Sequence, residues 1–139
     1  MKRVGRSVAF ILFVGCVVCA TTPGLAWSTT TRAKATTVAG EWTGTWKRTS
    51  PPPTTGTMTF TLTQHGAKLS GTVQVVGSAC LTTNKVHGTV NGKKVTVAVS
   101  EATVTAKYTG AVSGSTMSGS LAVTCSGLKG VGTFSLSRT

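Results

Sequence analysis

The chain has 139 residues, of which 14 are Lys or Arg and 2 are acidic, giving a formal charge of +12 at pH 7. This length predicts one domain, and the absence of Asp excludes a Ser-His-Asp triad. The acidic residues, Glu41 and Glu101, fall at a strand start and in a turn, which suits neither a two-carboxylate glycosidase nor a calcium cage. We therefore expect a protein that is not an enzyme.

The first 26 residues have the three regions of a secretory signal peptide. Basic residues lie within residues 1–6, an apolar run covers residues 8–20, and small residues precede a cleavage site after Ala26. The run is shorter than the ~20 residues of a membrane-spanning helix, so no transmembrane span is expected in the mature chain. There are two alternatives. The segment is retained as a membrane anchor, or Cys16 is lipidated, because the residues before it loosely resemble the cleavage motif of bacterial lipoproteins. The expected location is secreted or periplasmic.

Cleavage after Ala26 would leave 11 basic and 2 acidic residues, a formal charge of +9. In an exported protein this charge indicates anionic envelope surfaces or acidic proteins as partners. The alternative is that the charge only keeps the protein soluble. The lysines are scattered, and no stretch interleaves basic and aromatic residues in the way that single-strand nucleic-acid grooves do. No nucleic-acid partner is expected.

Residues 27–39 are rich in Ser, Thr and Ala without periodicity, which predicts a flexible tail. From Gly40 onward the sequence alternates with period 2, which is typical of β-strands. The predicted strands are 41–47, 57–64, 68–76, 85–90, 93–100, 103–112, 116–124 and 130–138. Turn signals such as Asn91-Gly92 separate them, and three prolines at 51–53 lie in the longest break. The predicted fold is an all-β, eight-stranded antiparallel up-and-down (meander) barrel over residues 40–139, a single domain.

One face of each predicted strand is apolar and is assigned to the barrel interior, whereas Thr, Ser and Lys occupy the other face. The inward residues are Trp42, Gly44, Trp46, Met58, Phe60, Leu62, Leu69, Gly71, Val73, Val75, Val86, Gly88, Val90, Val95, Val97, Val99, Val104, Ala106, Tyr108, Gly110, Val112, Met117, Gly119, Leu121, Val123, Gly132, Phe134 and Leu136. We call the end where the first strand begins the bottom. The longer connections, after strands one, three and seven, then lie at the top. Strand-centre glycines indicate bends or close backbone approach, and those near the bottom are also expected to leave room for the Trp42 indole.

Gly40-Glu41-Trp42 at the start of the first strand, the eight-strand meander and Arg138 at the end of the last strand resemble the calycin barrels. These include lipocalins, avidins and small bacterial inhibitors of secreted metalloproteases. The resemblance covers residues 40–139 and implies that Trp42 lies at the closed end, with Arg138 covering it. The short domain is nearest in size to the inhibitors. The inner face lacks the polar set that avidin-like biotin binding implies.

Cys80 and Cys125 remain after cleavage, and an even number of cysteines in an exported chain predicts a disulfide. Strand parity puts both at the top. A metal site joining them with His65 and His87 is the alternative, but His65 belongs to a bottom turn and His87 faces outward, so the four cannot converge. No metal, cofactor or catalytic residue is expected.

Two classes of function stay open. In the first, the barrel binds a small apolar molecule under the top loops. The candidate lining residues are Trp46, Met58, Val75, Val99 and Tyr108. The same side chains would suit an ordinary filled core, which is the simpler interpretation. In the second, the protein binds a secreted or envelope protein through its loops or tail, as a protease inhibitor does, or acts as a structural envelope-associated barrel.

Overall fold

The computed structural model describes residues 36–139. The predicted signal peptide, with its alternative lipidation site at Cys16, and residues 27–35 of the predicted tail lie outside the described residues. Within residues 36–139, no helix is long and apolar enough to cross a membrane.

Eight antiparallel strands form a closed barrel in which each strand pairs with the next and the last pairs with the first. The strands are β1 (Gly40–Arg48), β2 (Thr54–His65), β3 (Lys68–Val76), β4 (Thr83–Asn91), β5 (Lys94–Ser100), β6 (Val104–Ser113), β7 (Thr116–Cys125) and β8 (Leu128–Arg138). The predicted all-β meander barrel is confirmed. The largest difference is at β2, which begins directly after the prolines because Thr54 and Gly56 pair with Arg48 and Trp46 of β1.

The inward face assigned from the alternation forms the core of the barrel. Every apolar side chain assigned to it is buried except Val123, which is half-buried. Three further residues that the alternation did not include, Val38, Leu81 and Asn84, are buried as well. The strand pattern was reliable because successive side chains of a β-strand point to opposite faces whatever the partner strand is.

The inward glycines of the lower half bring neighbouring strands close together. A methyl group added at Gly88 would collide with the carbonyl oxygen of Thr96, and one added at Gly71 would collide with that of Thr61. At both positions the nearest atoms belong to the backbone of the paired strand and not to the Trp42 indole. The contacts at these two glycines therefore do not support the expectation that they leave room for this indole. They indicate close approach of the strands, which permits the tight curvature of a small barrel.

Trp42 closes the bottom of the barrel and is fully buried. Antiparallel pairing of β1 with β8 puts it opposite Arg138, whose guanidinium carbon lies 4.6 Å from the centroid of the indole. The same guanidinium donates a hydrogen bond from Nη2 to the carbonyl oxygen of Thr37 at 2.6 Å. The structure thus brings together the two residues that the calycin resemblance implied at the closed end.

Residues 36–39 pack against this closed end, which corrects the predicted extent of the flexible tail. Val38 is fully buried, and its carbonyl oxygen accepts a hydrogen bond from Trp42 Nε1 at 2.8 Å. The N–H of Val38 donates to Gln64 Oε1 at 2.7 Å. A buried apolar side chain and satisfied backbone groups make this segment part of the barrel domain.

Candidate functional site

The connection between β3 and β4 folds over the top of the barrel. Cys80 in this connection is bonded to Cys125 at the end of β7, with the two Cα atoms 6.1 Å apart, which confirms the predicted disulfide. In the closed strand order, the β3–β4 and β7–β8 connections stand on opposite sides of the barrel mouth. Residues 77–82, which we call the cover loop, must therefore reach across the mouth to make this bond.

The cover loop carries an apolar anchor and its own hydrogen bonds. Leu81 is only 4% exposed and belongs to the core cluster. The Ser78 hydroxyl oxygen accepts hydrogen bonds from the N–H groups of Cys80 and Leu81 at 3.2 and 3.1 Å. At the base of the loop, the N–H of Val75 donates to the carbonyl oxygen of Thr82 at 2.6 Å. Side-chain burial and these bonds fix the loop over the mouth.

A cavity of about 400 Å³ lies at the top end, between the cover loop and the strand walls. Its lining consists of Trp46, Arg48, Thr54, Met58, Val75, Gly77, Ser78, Ala79, Cys80, Leu81, Tyr108, Leu121, Val123, Cys125, Leu128, Lys129 and Gly130. Most of these side chains are apolar or small. The upper part of the barrel interior is therefore not completely filled by side chains.

Four of the five predicted lining residues meet at this cavity. Trp46, Met58, Val75 and Tyr108 all line it. Val99 does not line the cavity and is buried in the core. The sequence therefore predicted four of the seventeen lining residues and could not separate lining residues from filled core on the same inward face.

Trp46 forms a fixed part of the cavity wall. Its Nε1 donates a hydrogen bond to the carbonyl oxygen of Val76 at 3.1 Å. The indole lies against Gly56 of β2, where an added Cβ would come within 2.6 Å of Nε1. Gly56 thus leaves the space that the indole occupies, and the ring is held by a hydrogen bond and by its position against β2.

Tyr108 brings a phenol to the cavity. Its ring makes edge-to-face contacts with Phe60 and Phe134, at centroid distances of 5.1 and 6.0 Å. Its hydroxyl is buried and has no hydrogen-bond partner among residues 36–139. Burial raises the pKa of Tyr108 to about 12, because desolvation disfavours the phenolate. Near neutral pH the group is a neutral hydroxyl that can both donate and accept.

Asn84 is a buried polar residue that lies just before the predicted strand 85–90. It lies on β4 opposite Val73, and its side-chain oxygen Oδ1 has no hydrogen-bond partner among the described residues. It is not among the residues that line the cavity. The strand alternation contained the signal, because Asn84 precedes the inward Val86 by two positions.

Two cations stand at the cavity mouth. Arg48 is half-buried, and its Nε and Nη2 atoms donate to Ser50 Oγ at 3.0 Å and to the carbonyl oxygen of Pro51 at 3.1 Å. Lys129 is exposed. Arg48 is not one of the lining residues predicted from the sequence. It nevertheless continues the inward alternation of β1, two positions beyond Trp46. Within residues 36–139 no acidic side chain lines the cavity, so its mouth is electropositive.

Both histidines lie away from the cavity. His65 ends β2 at the bottom turn and His87 is on the outer face of β4, and both are exposed. Among the described residues, no group of three or more His, Cys, Asp or Glu side chains is placed to hold a metal ion. What the cavity offers is apolar surface and two cations at its mouth. This set can hold a molecule by burial and charge.

Comparison with known proteins gives little beyond the fold. No protein-family model matches the chain, and no curated protein matches it. One similar solved structure is the crystal structure of Rv2717c from M. tuberculosis, which is 13% identical, with 73% of this chain and 92% of that chain covered and a TM-score of 0.42. This likeness is too weak to carry an argument about function.

Proposed function

We propose that this chain is an exported, non-catalytic binding protein that holds a small, mainly apolar molecule in the cavity beneath the cover loop. The observation that carries the proposal is the cavity itself, about 400 Å³ and lined by Trp46, Met58, Leu121 and other apolar side chains. Pockets for small ligands commonly measure ~300–1,000 Å³ and combine apolar walls with a few polar groups. Arg48, Thr54 and Lys129 are polar residues in this lining.

The packing around the cavity argues against an ordinary core. A closely packed interior leaves few voids larger than a water molecule. The upper half keeps a larger space. A bulkier side chain at a lining position such as Val123 would fill part of this space, yet the sequence has a small one there. The retained space supports a ligand site.

Export and the calycin assignment are part of the same proposal. The Cys80–Cys125 bond is typical of proteins that fold in an oxidising compartment, and it agrees with the predicted signal peptide. The strand order and the contact of Arg138 with Trp42 support a calycin-type barrel. In this interpretation the closed bottom is structural, and the top end, with its longer connections, binds the ligand.

The test uses the neutral fluorophore N-phenyl-1-naphthylamine, whose emission rises in apolar surroundings, and the mature protein. Val123→Phe places an aromatic ring in the cavity, whereas Ala122→Phe adds the same ring at the exposed neighbouring position on β7. We expect wild type and Ala122→Phe to bind the probe and Val123→Phe to lose at least about tenfold in affinity, or about 1.4 kcal/mol. Circular dichroism verifies that both variants are folded.

Equal probe binding by the two variants would contradict a site inside the barrel. Native mass spectrometry of the exported protein gives an independent measurement, because a retained natural ligand adds mass that Val123→Phe should lose. A wild-type protein that binds no probe, carries no added mass and inhibits a secreted metalloprotease would overturn the proposal in favour of the inhibitor alternative.

A further inference from the structure

We infer that the ligand carries an anionic group, such as a carboxylate, which the Arg48 guanidinium binds at the cavity mouth. This inference rests on the proposed function and adds the chemical class of the ligand. It predicts an amphiphile with its apolar body between Met58 and Leu121 and its charged end beside Arg48.

The first supporting observation is that Arg48 is held in place by neutral groups. The guanidinium donates hydrogen bonds to the Ser50 hydroxyl and to the Pro51 carbonyl oxygen. Both acceptors are uncharged, so neither neutralises the guanidinium. The remaining N–H groups, including both on Nη1, make no hydrogen bond to protein within residues 36–139. A guanidinium that is already positioned loses little side-chain entropy when it binds a carboxylate, and it can donate two parallel hydrogen bonds to it.

The second observation is that the neighbouring strand leaves space for this side chain. Arg48 pairs with Gly132 of β8, and an added Cβ at Gly130 would lie 3.3 Å from Arg48 Nε. The arginine therefore lies along a glycine-lined part of β8 and remains half-buried at the cavity wall. Partial burial strengthens its interaction with an anion, because water screens the charge less there than on the outer surface.

The third observation is the distribution of charge around the mouth. Lys129 adds a second cation to the lining. Of the acidic residues, Glu41 lies at the bottom end in β1, and Glu101 lies in the β5–β6 connection and does not line the cavity. A cationic ligand would meet two like charges, whereas an anionic ligand would meet two opposite charges.

The experiment compares decanoate, decanol and protonated decylamine, which share a chain but differ in head group, by displacement of N-phenyl-1-naphthylamine below their micelle concentrations. We expect decanoate to bind about tenfold more tightly than decanol at low salt, since a charge-assisted hydrogen bond replaces a neutral one. Decylamine should bind more weakly than decanol. Raising the ionic strength from about 0.02 M to about 0.5 M should reduce this preference without changing decanol binding.

Arg48→Gln removes the charge at the mouth, and Lys47→Gln removes a charge from the adjacent exposed residue of the same strand, on the outer face. Arg48→Gln should bring decanoate to the affinity of decanol and leave decanol within about twofold of wild type. Lys47→Gln should keep the preference for decanoate. Lys129→Gln should reduce it less than Arg48→Gln, because Lys129 is more exposed.

The outcomes separate this inference from the proposed function. If the probe and decanol bind but decanoate shows no advantage, the anionic class is wrong and the apolar site stands. If Lys47→Gln abolishes the preference as fully as Arg48→Gln does, the effect comes from the general charge of the protein, and the assignment to Arg48 is wrong. If neither the probe nor any of the three amphiphiles binds, both proposals fail.

Discussion

The disulfide that ties the cover loop to β7 makes a large and testable contribution to stability. Replacing both Cys80 and Cys125 with Ser removes a bond that closes a loop over a sequence separation of 45 residues. The entropy of closing such a loop in the unfolded chain corresponds to about 4 kcal/mol at 25 °C. If Leu81 also leaves the core when the loop is released, about 1.5–3 kcal/mol more is lost.

These magnitudes predict a protein that is folded but much less stable. A domain of this size loses ~4–8 °C of Tm for each kcal/mol, so the double Ser variant should melt about 15–30 °C below wild type. Thermal denaturation followed by circular dichroism measures this shift, and urea unfolding at a low temperature gives the difference in free energy directly. A fall in Tm of less than about 5 °C would contradict the loop-closure argument.

A double-mutant cycle with Leu81→Ala tests whether the bond also holds the cover loop against the core. With the disulfide present, Leu81→Ala should cost about 2–5 kcal/mol, as for other buried leucines. In the double Ser background the cost should be smaller, because the released loop no longer buries Leu81 fully. An equal cost in both backgrounds would show that the loop stays closed without the bond and would refute this part of the reasoning.

Three further predictions concern the bottom closure, the strand contacts and the buried phenol. Arg138→Ala should lower the free energy of unfolding by about 0.5–2 kcal/mol, measured by urea unfolding, because the cation–π contact with Trp42 is lost; no change would mean that this contact is not stabilising. Gly88→Ala should cost more than about 1 kcal/mol because its methyl group meets the β5 backbone, while the adjacent exposed Thr89→Ala should stay within about 0.5 kcal/mol of wild type. Burial raises the pKa of Tyr108 from 10.0 to about 12, so the unfolded state loses this proton at a lower pH than the folded state does. The stability is therefore fully present below pH 10 and is lost as the pH rises through about 12. The free energy of unfolding of wild type should therefore fall by about 2–3 kcal/mol more than that of Tyr108→Phe over this range. Because the chain has a single Tyr, absorbance of the tyrosinate reports its titration directly. Equal losses in the two proteins would contradict the raised pKa.

The sequence by itself determined the architecture. Side chains in a strand alternate between two faces, so the positions of Val95, Val97 and Val99 predicted one buried face before any pairing was known. Short turns such as Asn91-Gly92 favoured pairing between consecutive strands. Strand parity also placed Cys80 and Cys125 at the same end, and the disulfide between them is observed.

The same alternation also places two polar residues on the inner face of the barrel. Arg48 continues the inward alternation after Trp46, and Asn84 does so before Val86. Both are polar, and the predicted strand 41–47 ends just before Arg48, while the predicted strand 85–90 begins just after Asn84. In the structure, the position in the strand decides which way a side chain points, and its polarity does not.

Only the tertiary structure decided what closes the two ends and where space remains between them. Val38 is buried, and its backbone N–H donates to the side chain of Gln64, 26 positions away. The cover loop is fixed by a bond to a strand on the far side of the barrel. The cavity is the difference between the volume that the closed strands enclose and the volume of the side chains inside. That difference depends on the curvature of the whole sheet and on how side chains from several strands meet, which a pattern read along one strand at a time does not contain.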